Sequence, residues 1–167
     1  MRIIAIDPGT ERSAWVVLDN GRLVTFAYSP NAEVAATLAE ERRNPRFPGA
    51  RLAIEMMASL GLPVGREVFE TCVWIGRFIE AFGGDAMMIY RSTVKANLCH
   101  SNRANDSTIR AALIDRFGPG KAAAIGTRGK HGPLYGVTGD VWQALAVAVT
   151  AHDRLEVDKL QRKGVMR

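Results

Sequence analysis

Cysteine is scarce in this chain of 167 residues, with only Cys72 and Cys99 present, each alone in a stretch that reads as helical. Neither has a partner at the spacing of a zinc motif, and no histidine cluster lies beside them, so both read as reduced thiols packed in or near the core. Long apolar runs are missing as well. None approaches the roughly 20 residues that a membrane-spanning helix needs. The N-terminus enters a strand instead of a charged region followed by a cleavage site, so a cytoplasmic protein is expected.

What is present suits one compact domain over residues 1–167: 47% of residues are hydrophobic and 23% charged, enough to bury a core. The formal charge of +5 and a pI of 9.6 bias the surface toward polyanions, of which nucleic acid is the commonest soluble kind. The same excess also serves plain solubility.

The chain opens with its core. RIIAID at 2–7 is an apolar run ended by an acid, and Pro8-Gly9-Thr10 turns the chain. Ala14 to Leu18 and Leu23 to Ala27 are further strands, joined by the hairpin signal Asp19-Asn20-Gly21, so three antiparallel strands come first. Asn31 is suited to cap a helix running to about Arg43. RLAIEMM at 51–57 echoes the first strand, again with an acid near its end.

From Val64 to about Phe82, Val64, Val68, Cys72, Ile75, Ile79 and Phe82 keep helical spacing, with Phe69, Trp74 and Phe78 off that stripe. DAMMIY at 85–90 reads as a strand. Ser92 is a candidate cap for a short helix, and Asp106 or Ser107 for one ending near Phe117. The Gly- and Lys/Arg-rich stretch at about 118–136 exceeds the usual roughly 4–6 residue connection and reads as a basic mobile loop. A strongly apolar helix begins at Thr138 or Asp140, and a charged tail follows from Asp153 to Arg167. Alternating strands and helices point to α/β packing.

Asp7 and Glu55 each end a buried strand, where an ionised carboxylate is costly unless a positive charge compensates it. Asp140, in the first turn of the last helix, is placed to point back over the sheet toward Asp7. Such oxygen donors suit Mg²⁺ or Mn²⁺. Three convergent carboxylates can hold two such ions about 4 Å apart, one activating water and one stabilising the leaving oxygen of a phosphodiester. Taken singly, each acid has a plainer use: Asp7 capping its turn, Glu55 pairing with Arg51 or another arginine, Asp140 serving its helix N-terminus.

IIAIDPGTERSAWVVLD resembles the opening strand and hairpin of RuvC-type Holliday-junction resolvases, LAIEMM resembles their second acidic strand, and GDVWQALAVAV their acidic last helix. YRSTVKANL and NDSTIRAALIDRFG are similar to the strand and paired helices between, and the form looks closest to bacteriophage and prophage members. The resemblance implies a ribonuclease H-like α/β fold, a mixed five-stranded sheet with three antiparallel strands and then two parallel ones, flanked by helices. It implies Asp7, Glu55 and Asp140 as catalytic ligands of two Mg²⁺ or Mn²⁺ ions, cleavage of four-way DNA junctions, and a homodimer. The familiar pattern has a further acid three residues beyond Asp140, where this chain carries Gln143; Glu67 or Glu70 is the candidate substitute.

Lys95, Arg103, Lys121, Arg128, Lys130 and His131 lie on or beside expected loops, where long cations reach phosphates without reading sequence. Phe69, Trp74 and Phe78 have two accounts, burial within the monomer or contact with a second subunit. Two other readings compete. Actin-like sugar kinases share the acidic strand and DPGT-like turn, but need two such domains and a second glycine-rich loop. A DNA-structure binding protein, or a nuclease preferring flaps or forks, would keep the fold with a different outcome.

Overall fold

The computed structural model describes residues 1–46, 48–59, 61 and 63–164. Five strands make the main sheet: β1 (Arg2–Asp7), β2 (Arg12–Asp19), β3 (Arg22–Pro30), β4 (Arg51–Met56) and β5 (Ala86–Tyr90). Their order is β3-β2-β1-β4-β5, with β1, β2 and β3 antiparallel and β4 and β5 parallel to β1. The mixed sheet expected from the sequence is the one observed. At the β2–β3 hairpin, Asn20 (φ 47°) and Gly21 (φ 77°) both take left-handed backbone, the geometry that matches the twist of the flanking strands.

Side chains alternate across a strand, and that alternation builds two cores. Ile4, Ile6, Leu52 and Ile54 face one side, where α1 (Asn31–Arg43) and α2 (Arg66–Phe82) pack through Val34, Leu38, Ile75, Phe78 and Phe82. Ile3, Ala5 and Ala53 face the other, under α6 (Val141–Arg162). There Ala144, Ala146, Ala148 and Ala151 are fully buried. Small side chains let the helix axis come close to β1 and β2, its main partners.

Several local expectations are corrected. Asn31 is the first residue of α1, not its side-chain cap, because its carboxamide turns inward to bond Ser13 and Gly9. The buried stripe of α2 runs Thr71, Ile75, Phe78 and Phe82, so Phe78 is core and Val64 is exposed outside the helix. Ser92 lies inside α3 (Arg91–Cys99), and α4 (Asp106–Phe117) is capped by Asn105, whose Oδ1 accepts from Thr108 N at 3.0 Å. The stretch read as a mobile loop holds α5 (Lys121–Ala124) and a hairpin of β6 (Gly126–Thr127) and β7 (Lys130–His131), anchored by buried Ala124, Leu134 and Val137. The charged tail is helical as far as Arg162, and residues 165–167 lie outside the described residues. Cys72 and Cys99 are free and partly buried.

Candidate active site

The alternation that builds the two cores also aims the acids. Asp7 follows Ile3 and Ala5 at the same parity, and Glu55 follows Ala53, so both carboxylates belong to the face that α6 covers. The parallel register pairs Ile6 with Ile54, and each acid is the next residue on its strand. Two carboxylates therefore stand side by side at the carboxyl ends of neighbouring parallel strands, the edge at which open α/β sheets usually receive ligands. Asp140 precedes the first turn of α6 and is exposed.

The turn after Asp7 is held by a small buried network. Ser13 Oγ accepts from Gly9 N at 3.2 Å and donates to Asn31 Oδ1 at 2.6 Å, while Asn31 Nδ2 donates to Gly9 O at 3.0 Å. Gly9 itself has no substitute, since a Cβ there would lie 2.4 Å from Arg12 O. The main chain leaving Asp7 is thus tied to β2 and α1 together.

Electrostatics mark Asp7 as the most stressed group. Burial pushes its carboxyl up to about 7; the negative charges of Glu55, Asp140 and Asp106 push the same way, and Arg91 opposes them. Glu55 is also raised, first by burial and then by Asp106, again against Arg91. Asp140 acts on Asp7, whereas Glu55 answers to Arg91 and Asp106, so Asp7 is the acid common to both neighbourhoods.

Arg91 and Asp106 belong to this site and were not singled out from sequence. Arg91, the first residue of α3, emerges where β5 ends beside β4, with Tyr90 paired to Met56. Its Nη1 donates to Gln143 Oε1 at 2.5 Å and lies 4.0 Å from Glu55 Oε1, and its Nη2 bonds Asp106 Oδ1. Of the plainer uses considered, Glu55 does face an arginine, but Arg91 instead of Arg51. The signal available was a cation placed directly after the third parallel strand. Glu67 and Glu70 contribute nothing to the fields on Asp7 or Glu55; Glu70 pairs with Arg66 at 2.5 Å along α2.

Asp7, Glu55 and Asp140 carry hard oxygens, and Glu55 and Asp140 both repel Asp7, a chemistry that suits a divalent cation such as Mg²⁺ or Mn²⁺. Among the described residues, however, no three His, Cys, Asp or Glu side chains are gathered closely enough to make a ready cation cage.

A cleft of about 400 Å³ opens beside Glu55 and Arg91, and Lys95 lines it with Tyr90 and Asn102. Arg103 is exposed between α3 and α4; Lys121, Arg128, Lys130 and His131 are exposed on α5 and the β6–β7 hairpin, where His131 stacks on Tyr135 at 3.6 Å between ring centroids. Of the aromatics of α2, Phe78 is buried, Trp74 partly buried against the core, and only Phe69 is largely exposed.

No family model and no curated protein sequence matches the chain. Among solved structures, RuvC from Thermus thermophilus is similar at 15% identity with a TM-score of 0.68, over 95% of this chain and 97% of that one. T. thermophilus RuvC in complex with a Holliday junction substrate is similar at 15% identity with a TM-score of 0.69, over 94% and 96%. At that identity the likeness carries the fold, and the fold of this chain is accordingly RuvC-like and ribonuclease H-like.

Proposed function

We propose that this chain is a divalent-metal-dependent endonuclease that cuts branched DNA, with four-way junctions as its substrate. The observation that carries the reading is the placing of Asp7 and Glu55 side by side at the carboxyl ends of β1 and β4, in the field of Asp140 at the start of α6. The fold adds support, since one RuvC of similar fold has been solved with a Holliday junction bound. Asp7, Glu55 and Asp140 are the proposed ligands of the ion, Mg²⁺ or Mn²⁺. When bound, such a cation supplies neutralisation of the scissile phosphate and activation of water for an in-line displacement.

The protein's own contribution is position. Burial keeps Asp7 ready to release its proton to the solvent as a cation arrives, because its carboxyl titrates at about 7. The Ser13–Asn31–Gly9 network holds the backbone that carries it. Lys95, Arg103, Lys121, Arg128 and Lys130 are the proposed phosphate contacts, a track that positions DNA without selecting sequence. A single nuclease domain acting as a homodimer, in the cytoplasm of a bacterial or phage-infected cell, completes the proposal. Twofold symmetry would set two sites against opposing strands of a junction. Phe78 has no part in the dimer surface because it is core, which leaves exposed Phe69 and partly exposed Trp74 as the aromatics of α2 available to it.

A second reading, a junction-binding protein with little cleavage, is favoured by one observation: Gln143, in the place of an acid, offers a neutral oxygen that Arg91 already occupies. A synthetic four-way junction incubated with Mg²⁺ or Mn²⁺, beside a linear duplex and the Asp7→Asn variant, separates the two. Paired symmetric cuts that Asp7→Asn abolishes support the nuclease; tight junction binding with no cuts in either metal favours the binding protein.

A further inference from the structure

The geometry points to Arg91 as a built-in cation that fills one positive position of the candidate site, leaving room for a single divalent ion on the side of Asp7 and Asp140. This rests on the metal-dependent reading above. Three elements bring oxygens to the one guanidinium: Gln143 of α6 at 2.5 Å, Asp106 of α4, and Glu55 of β4 at 4.0 Å. The partners on α6 and α4 lie 52 and 15 residues away along the chain, so the arrangement is a product of the fold and not of local sequence. A planar fork suits several acceptors at once, and a guanidinium keeps its charge at any pH at which the fold survives.

The two sides of the site differ in what compensates their negative charge. Glu55 has Arg91 within ion-pair distance, whereas among the described residues no side chain hydrogen-bonds or ion-pairs with the Asp7 carboxylate. Paired ions in two-metal sites stand about 4 Å apart. A second divalent ion sharing Glu55 on the Gln143 side would sit against the guanidinium at a comparable distance, like charge on like charge in a partly buried setting. Gln143 offers only a neutral oxygen and that oxygen is already taken by Arg91. The residues therefore do not fit the two divalent ions that three convergent acids suggest, and leave Asp7 and Asp140 as the hard oxygens for one. Part of the site's positive charge is covalent, and chelators cannot remove it.

Counting Mn²⁺ bound to the full chain, by calorimetry and by the electron paramagnetic resonance signal of free Mn²⁺, tests this directly. About one ion per chain is expected for the native protein and for Gln143→Glu and Arg91→Lys taken singly, since each keeps a cation at position 91. Arg91→Ala combined with Gln143→Glu is expected to take up about two. Circular dichroism and thermal melting establish that each variant is folded. Two ions in the native protein, or a folded double variant still binding one, would overturn the inference. If the native protein cuts junctions and binds two ions, only this inference fails; if it binds no Mn²⁺ and cuts nothing, the nuclease reading fails and takes this one with it.

Discussion

Asp7 and Asp153 are both aspartates of the α6 side of the sheet, and they live under opposite conditions. Asp153 is met by Arg116 through two N–H groups, with Nη1 at 3.1 Å and Nη2 at 2.5 Å, and by Asn97 Nδ2 at 2.9 Å. It ties α6 to α3 and α4. Asp7 faces instead the negative charges of Glu55, Asp140 and Asp106, which Arg91 only partly offsets. A carboxylate that serves stability is given partners, while one poised to receive a ligand is left facing like charge.

The largest effect is expected at Asp7. Asp7→Asn should lower junction cleavage on the order of 10³-fold while leaving the fold intact. The same change should stabilise the metal-free protein at pH 8 by roughly 2–4 kcal/mol, because a buried charge facing like charges disappears. Cleavage kinetics and chemical denaturation of one preparation check both; a variant that loses stability at pH 8 would mean that Asp7 is a structural acid like Asp153.

Next in size is the pH profile of the metal-free native protein. The Asp7 carboxyl is raised from 3.8 to about 7 in the fold, so the folded state holds the proton more tightly than the unfolded chain does. The stability that follows is fully present below about pH 4 and is lost as pH rises through 7. Glu55 shifts in the same direction and adds to the decline. Denaturation midpoints across pH 5–8 should fall in the native protein, flatten in Asp7→Asn, and recover when Mn²⁺ is added.

Asp153→Ala should cost about 1–2 kcal/mol, since Arg116 and Asn97 lose their acceptor at a site that solvent partly screens. Cleavage per folded molecule should hardly change, and a large drop in it would break the division between the two aspartates. The smallest effect belongs to single cations of the proposed track. Lys130→Ala should weaken junction binding alike for all sequences and reduce the salt slope by about 1, read from binding isotherms at several salt concentrations.

Much of the fold was legible because its signals are local. Short continuous apolar runs mark Arg2–Asp7 and Arg51–Met56 as buried strands, and the period of two along a strand sends Asp7 and Glu55 to one face. The apolar run after Asp140 could be read as the covering helix for the same reason. Caps were harder, because Asn105, Asp106 and Ser107 are all good capping types in succession and only backbone geometry selects Asn105. Asn31 has the chemistry of a cap, yet its tertiary bonds to Ser13 and Gly9 claimed the side chain. The basic stretch after Phe117 looked unstructured since its anchors, Ala124, Leu134 and Val137, are single apolar residues without periodicity.

What the sequence determined by itself is the pair of acid-ended strands, the antiparallel hairpins and the small-residue helix, because each rests on the spacing of neighbours along the chain. Only the tertiary structure decided where Arg91 goes. Its partners come from β4, α4 and α6, and nothing within a few residues of position 91 announces them. Charge compensation acts through space, so the guanidinium proposed to limit how many cations the site accepts became visible only when the sheet and its covering helices had brought those oxygens together.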